Sequence, residues 1–151
     1  MIPGKVSGAI PFQKKNANKI IVIVGINLLI AFMHAFRVGQ MLNGTWYNLY
    51  YAYASDIMLP FSAYFLIGVN EYSIPWVRPW RNKAMLIFAA PTICEILQYF
   101  DIYAFGVTFD PLDIVMYGVG VLIAVFLDLK VFPRIFKFWK IDYDIGEKAE
   151  S

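Results

Sequence analysis

Two short acidic motifs hold most of the chemical potential of this sequence: Glu95-Ile-Leu-Gln98 and Asp110-Pro-Leu-Asp113. On a helix, residues three apart share a face. Glu95 can therefore act as an acceptor with Gln98 orienting the donor, and Pro91 lies one turn earlier on the same face. The two aspartates offer acceptors for a cation or an amine. Asp110 also has a purely structural reading as a helix N-cap, followed by proline at the first helical position and a carboxylate favourable to the dipole. Asp56 stands four residues before Pro60. That proline removes the donor which would have bonded the Asp56 carbonyl, so polar backbone accompanies the carboxylate. His34 and Arg37 are the basic candidates, although a helix-end arginine commonly extends to an interface. Cys94 is the only cysteine, which excludes an internal disulfide and offers no metal-ligand spacing. No zinc-protease motif, phosphate-cradling glycine loop or nucleophile with a base partner occurs. The residues point to binding, with no metal, cofactor or catalytic residue assigned.

These side chains lie in or beside four apolar runs, at 20–36, 49–69, 84–100 and 112–132. A bilayer core of about 30 Å needs about 17–25 residues of helix, and each run fits. Hydrophobic residues make up 60% of the chain and charged ones 16%. A small soluble fold has too little interior to hide that much apolar surface. Membrane strands would alternate polar and apolar residues, which these runs do not. The expected fold is all-α, a polytopic bundle of four transmembrane helices over 20–132. An N-terminal segment 1–19 and a tail 133–151 flank it. The net charge of +2 gives no ground for nucleic-acid binding.

Basic residues fix the expected orientation. Lys5, Lys14, Lys15 and Lys19 precede the first run, and Arg78, Arg81 and Lys83 occupy the second connection. Lys130, Arg134, Lys137, Lys140 and Lys148 lie late in the chain, whereas the first and third connections hold only Arg37. This asymmetry places both termini and the 73–83 connection in the cytoplasm. Trp76, Trp80 and Trp139 then mark the inner interface, and Trp46, Tyr47, Tyr50, Tyr99 and Tyr103 the outer one. The first run reads as a retained anchor, since its basic region is long and no small-x-small cleavage site follows. In this topology Asp56, Glu95, Gln98, Asp110, Asp113, His34 and Arg37 gather in the outer half. Charge at membrane depth is costly, so they are expected to face the bundle interior or a wet cavity. On the inner side only Asp128 is singled out, with Lys130 or Arg134 as its expected partner.

The Glu95–Gln98 pair, Thr108-Phe-Asp110-Pro-Leu-Asp113 and Gly118-Val-Gly120 together resemble VanZ-like membrane proteins over residues 84–128. Two features depart from that family's pattern. No basic residue falls between Ala84 and Leu129, and Tyr117 stands where an asparagine is common. The resemblance implies a protein of the bacterial inner membrane and cell envelope. The expected function is an accessory or binding role in which the outer polar pocket meets a lipid headgroup, a lipid-linked envelope precursor or a partner protein's helix. The alternatives are a membrane enzyme using Glu95 or His34 as acid/base, and a structural subunit of a larger complex.

Overall fold

The computed structural model describes residues 12–36, 41, 43–102 and 109–140, and these are helical with no strand among them. Four long helices follow one another: α1 (Phe12–Ala35), α2 (Thr45–Gly68), α3 (Trp80–Tyr99) and α4 (Pro111–Phe126). A 3-10 turn, Pro75–Val77, precedes α3. A π-helical turn, Leu127–Val131, and a short α5, Phe132–Ile135, prolong α4. All four apolar runs are thus helical, with ends displaced by a few residues. The largest displacement is at α1, which begins well inside the segment expected to precede the first span.

Two stretches, Lys14–Ala35 and Pro111–Ile135, are long and apolar enough to cross a membrane. The other two helices are diluted by polar groups. α2 carries Asn48, Ser55, Asp56 and Ser62, and α3 carries Arg81, Asn82, Lys83, Glu95 and Gln98.

Residue chemistry explains how the helices end. Asp110 has extended backbone and its carboxylate accepts from the Leu112 amide at 2.9 Å, with Pro111 at the first position, as its sequence pattern implies. At the other side of that connection, α3 closes in a Schellman motif. The Asp101 amide bonds the Gln98 carbonyl and the Ile102 amide bonds the Leu97 carbonyl, both at 3.0 Å. Asp101 adopts φ 57° to do this, a left-handed conformation normally left to glycine.

α2 and α4 form the centre of the bundle. The buried face of α4 consists of Tyr117, Gly120, Val121 and Ala124. At Gly120 the two backbones come so close that a Cβ would collide with the Ile57 carbonyl oxygen and the Pro60 ring. Small residues permit this approach. α1 docks on α2 through Asn27, which donates to the Ile23 carbonyl at 2.9 Å and accepts from the Ser62 hydroxyl. A second centre of packing lies at the opposite end of the bundle from Asp110. There Tyr64 and Phe65 of α2, Ile23 of α1 and Ala124 of α4 enclose Trp139, which the chain after α5 folds back into the interior. Phe132 and Trp139 meet edge to face at 4.6 Å. Trp139 is only 3% exposed, so it is a core residue and not the interfacial marker expected of it; Trp76, at 52%, keeps an exposed position.

Large apolar side chains also lie on the surface, and charged ones lie inside. Leu28 of α1 and Leu122 of α4 are 65% and 69% exposed, while Lys19, Glu71, Lys83, Glu95 and Asp128 are all buried.

Candidate functional site

The ionisable groups collect at the two ends of the bundle. The end bearing the α3–α4 connection is here called apical, and the end where α1 and α3 begin, basal.

At the apical end, Glu95 of α3 accepts from the Tyr117 hydroxyl at 3.2 Å and from the Asp110 amide at 3.4 Å. One buried carboxylate thereby joins the last turns of α3 to the start of α4. Asp56 and Asp113 lie close to one another, and both are near enough to Glu95 and Asp110 for the charges to interact. Gln98 is buried one turn beyond Glu95. Asp56, Glu95, Gln98, Asp110 and Asp113 are therefore brought into one neighbourhood from three helices. Among the described residues His34 takes part in no such contact: it is exposed in the last turn of α1, a helix that packs on α2. Arg37 lies outside the described residues. Tyr50, near the start of α2, buries a hydroxyl that has no hydrogen-bond partner among the described residues. No group of three or more potential metal ligands occurs among the described residues.

The basal end contains what the sequence reading missed. Lys19 of α1 meets Glu71 at 2.5 Å, Glu71 meets Lys83 of α3 at 2.5 Å, and Lys83 meets Asp128 at 3.1 Å. The charges alternate in sign, and each of the four long helices supplies one, from its own end or from the turn that leaves it. Asp128 sits in the π-helical turn after α4, where it also accepts from the Tyr64 hydroxyl at 2.7 Å and the Trp139 indole at 2.8 Å. Its partners are thus Lys83, Tyr64 and Trp139, and the expected pairing with Lys130 or Arg134 is not made. A residue two positions along a helix points to the opposite side, which is where Lys130 lies, exposed. Both ammonium groups face aromatic rings, Lys83 over Tyr64 at 4.8 Å and Lys19 over Trp139 at 5.3 Å. A signal for this chain was available: Lys19, Glu71, Lys83 and Asp128 fall at the same ends of their apolar runs. Lysines at that end are equally explained by membrane orientation, and Glu71 lies outside the apolar runs, so neither type by itself marks an ion pair.

The two ends differ chemically. The basal chain of charges is internally balanced and fully bonded, whereas the apical cluster gathers four carboxylates with no basic partner among the described residues. No protein-family model matches this sequence, and neither a curated protein nor a solved structure shows significant similarity to it.

Proposed function

We propose that the chain is a four-span protein of the bacterial inner membrane, with both termini cytoplasmic, that uses its apical acidic cluster to bind an amine-bearing group at the outer leaflet. The observation that carries this reading is the apolar outer surface of the bundle together with its buried charges. Large apolar side chains line the outside of α1 and α4, while Lys19, Glu71, Lys83, Glu95 and Asp128 are buried beside the apolar core. Only 11% of the first apolar window and 28% of the second is buried, whereas a core helix of a soluble fold would be mostly enclosed. Lipid is the solvent that suits such a surface, and ionisable groups facing the interior are then costly enough to mark function. Asp56, Glu95, Asp110 and Asp113 supply acceptors, and Gln98 and Tyr117 orient them. The group they would accept belongs to a lipid headgroup, an envelope precursor or a partner's helix, in an accessory role of the VanZ-like kind.

Two measurements test this. Asn43→Cys should react with an impermeant thiol reagent added outside cells, and Ser73→Cys should not; labelling of Ser73→Cys alone would reverse the topology. Native mass spectrometry of gently extracted protein should then show retained phosphatidylethanolamine, lost in Glu95→Gln. Identical adducts in wild type and Glu95→Gln would remove the apical cluster from the binding role.

A further inference from the structure

A cavity of about 560 Å³ opens at the basal end, beside the alternating charges. Its described lining includes four basic residues, Lys19, Arg78, Lys83 and Lys140, against two acidic ones, Glu71 and Asp128. Three of the basic groups are fixed in place by the fold, Lys19 by its ion pair with Glu71 at 2.5 Å. Lys83 is held between Glu71 and Asp128, and Arg78 donates through Nε to the Glu71 carbonyl at 2.9 Å and through one terminal nitrogen to the Tyr72 carbonyl at 3.2 Å. Lys140 stands exposed at the rim. Trp80 and Trp139 form aromatic walls, and Leu129 and Pro133 add apolar surface.

We propose that this basal cavity binds the phosphate of an anionic phospholipid headgroup in the cytoplasmic leaflet. The assignment rests on the membrane-spanning reading above but concerns the opposite end of the bundle and the opposite sign of charge. Three features favour it. Its lining carries an excess of positive charge, unlike the apical cluster. The cavity lies where the helices end, at the level of headgroups, and sets cations beside the exposed Trp80, a residue type suited to that boundary. Its volume falls within the range of small-molecule sites, and basic pockets between helices on the cytoplasmic side suit phosphate headgroups. Rigid cations need little reordering to receive an anion, so less of the interaction is spent on conformational entropy.

The test follows thermal unfolding of the full chain in neutral detergent as phosphatidylglycerol, phosphatidylcholine or inorganic phosphate is added. Phosphatidylglycerol should raise the midpoint and phosphatidylcholine should do so much less. Lys140→Gln removes one exposed charge without cutting a buried contact, and it should require about fivefold more phosphatidylglycerol for the same rise. Lys140→Arg should respond like wild type. Equal stabilisation by phosphatidylcholine, or an unchanged response in Lys140→Gln, overturns the assignment. Inorganic phosphate alone reproducing the full rise would assign the cavity to a free anion and overturn the lipid source. A chain that stays folded and monodisperse without detergent would instead overturn the membrane reading. Lost lipid selectivity in a protein that still requires detergent overturns the cavity assignment only.

Discussion

Lys83, in the first turn of α3, holds Asp128, in the turn that prolongs α4, at 3.1 Å, and the same ammonium group holds Glu71 beyond the end of α2. One side chain thus joins the ends of three helices. Removing a partner from a buried ion pair is far more costly than the pair's net contribution, because the charge left behind stays desolvated. Lys83→Met should therefore destabilise the bundle by about 3–5 kcal/mol. Asp128→Asn should cost less, since an amide oxygen still accepts from Tyr64 and Trp139. Reversible unfolding in mixed detergent micelles measures both. A Lys83→Met variant as stable as wild type would show that Lys19 alone compensates Glu71.

Gly118 and Gly120 are two residues apart on α4 and should respond in opposite ways to alanine. At Gly120 the added methyl meets the Ile57 backbone and the buried Pro60 ring, neither of which can yield without moving α2. Overpacking of this type costs about 1–3 kcal/mol. At Gly118 the nearest atom is the Phe88 ring edge at 3.6 Å, an ordinary contact. Alanine there should be neutral or stabilising by up to about 1 kcal/mol, from helix propensity. Equal effects at the two positions would mean that α2 and α4 do not cross at Gly120.

The difference between these glycines also shows what the sequence could and could not convey. The face of α4 bearing Tyr117, Gly120 and Ala124 follows from helical spacing, and so does the cap at Asp110, because both depend on residues close in the chain. Partners distant in the chain are another matter. Lys19 and Glu71 are 52 residues apart and Lys83 and Asp128 are 45 apart, so neither pairing leaves a periodic trace. The nearer basic residues, Lys130 and Arg134, suggested themselves for Asp128 only because they are nearby in sequence. Trp139 misled for a related reason. Its type suits a membrane interface, but the turn after α5 carries it into the core, where its indole finds Asp128. At the apical end the meeting of Asp56 with Asp113 required the α2–α4 crossing, which Gly120 and Pro60 permit together.

Asp101 gives a prediction independent of any function. It occupies the left-handed position that ends α3, where a Cβ is disfavoured and glycine is the usual choice. Asp101→Gly should preserve the Schellman bonds and stabilise the protein by up to about 1 kcal/mol. Asp101→Val should destabilise it, since a β-branched residue tolerates this conformation worst. A loss of stability in Asp101→Gly would indicate that the carboxylate makes a contact more valuable than the strain it carries.

Glu95 and Asp110 can be separated as binding group and cap, because charge and hydrogen-bonding capacity can be removed independently. Asp110 accepts from the Leu112 amide, a task that asparagine performs about as well, whereas alanine should cost roughly 0.5–2 kcal/mol. Asp110→Asn should therefore leave stability intact. Glu95→Gln keeps an acceptor for Tyr117 while deleting the charge, and Tyr117→Phe deletes the donor while keeping the ring. If Glu95 serves only to join α3 to α4, Tyr117→Phe should lower stability by about 0.5–1.5 kcal/mol, Glu95→Gln, which keeps the acceptor, should lower it less, and neither should alter what co-purifies. If its charge receives an amine, Glu95→Gln should lose the bound species at nearly unchanged stability, while Tyr117→Phe should retain it with weaker binding. Unfolding free energies and native mass spectra from the same preparations distinguish these patterns. The acidic excess around Asp56 and Asp113 favours the second, since neither bond that Glu95 accepts requires those two carboxylates beside it. Loss of the bound species in Asp110→Asn with retention in Glu95→Gln would move the site from the helix interior to the apical rim.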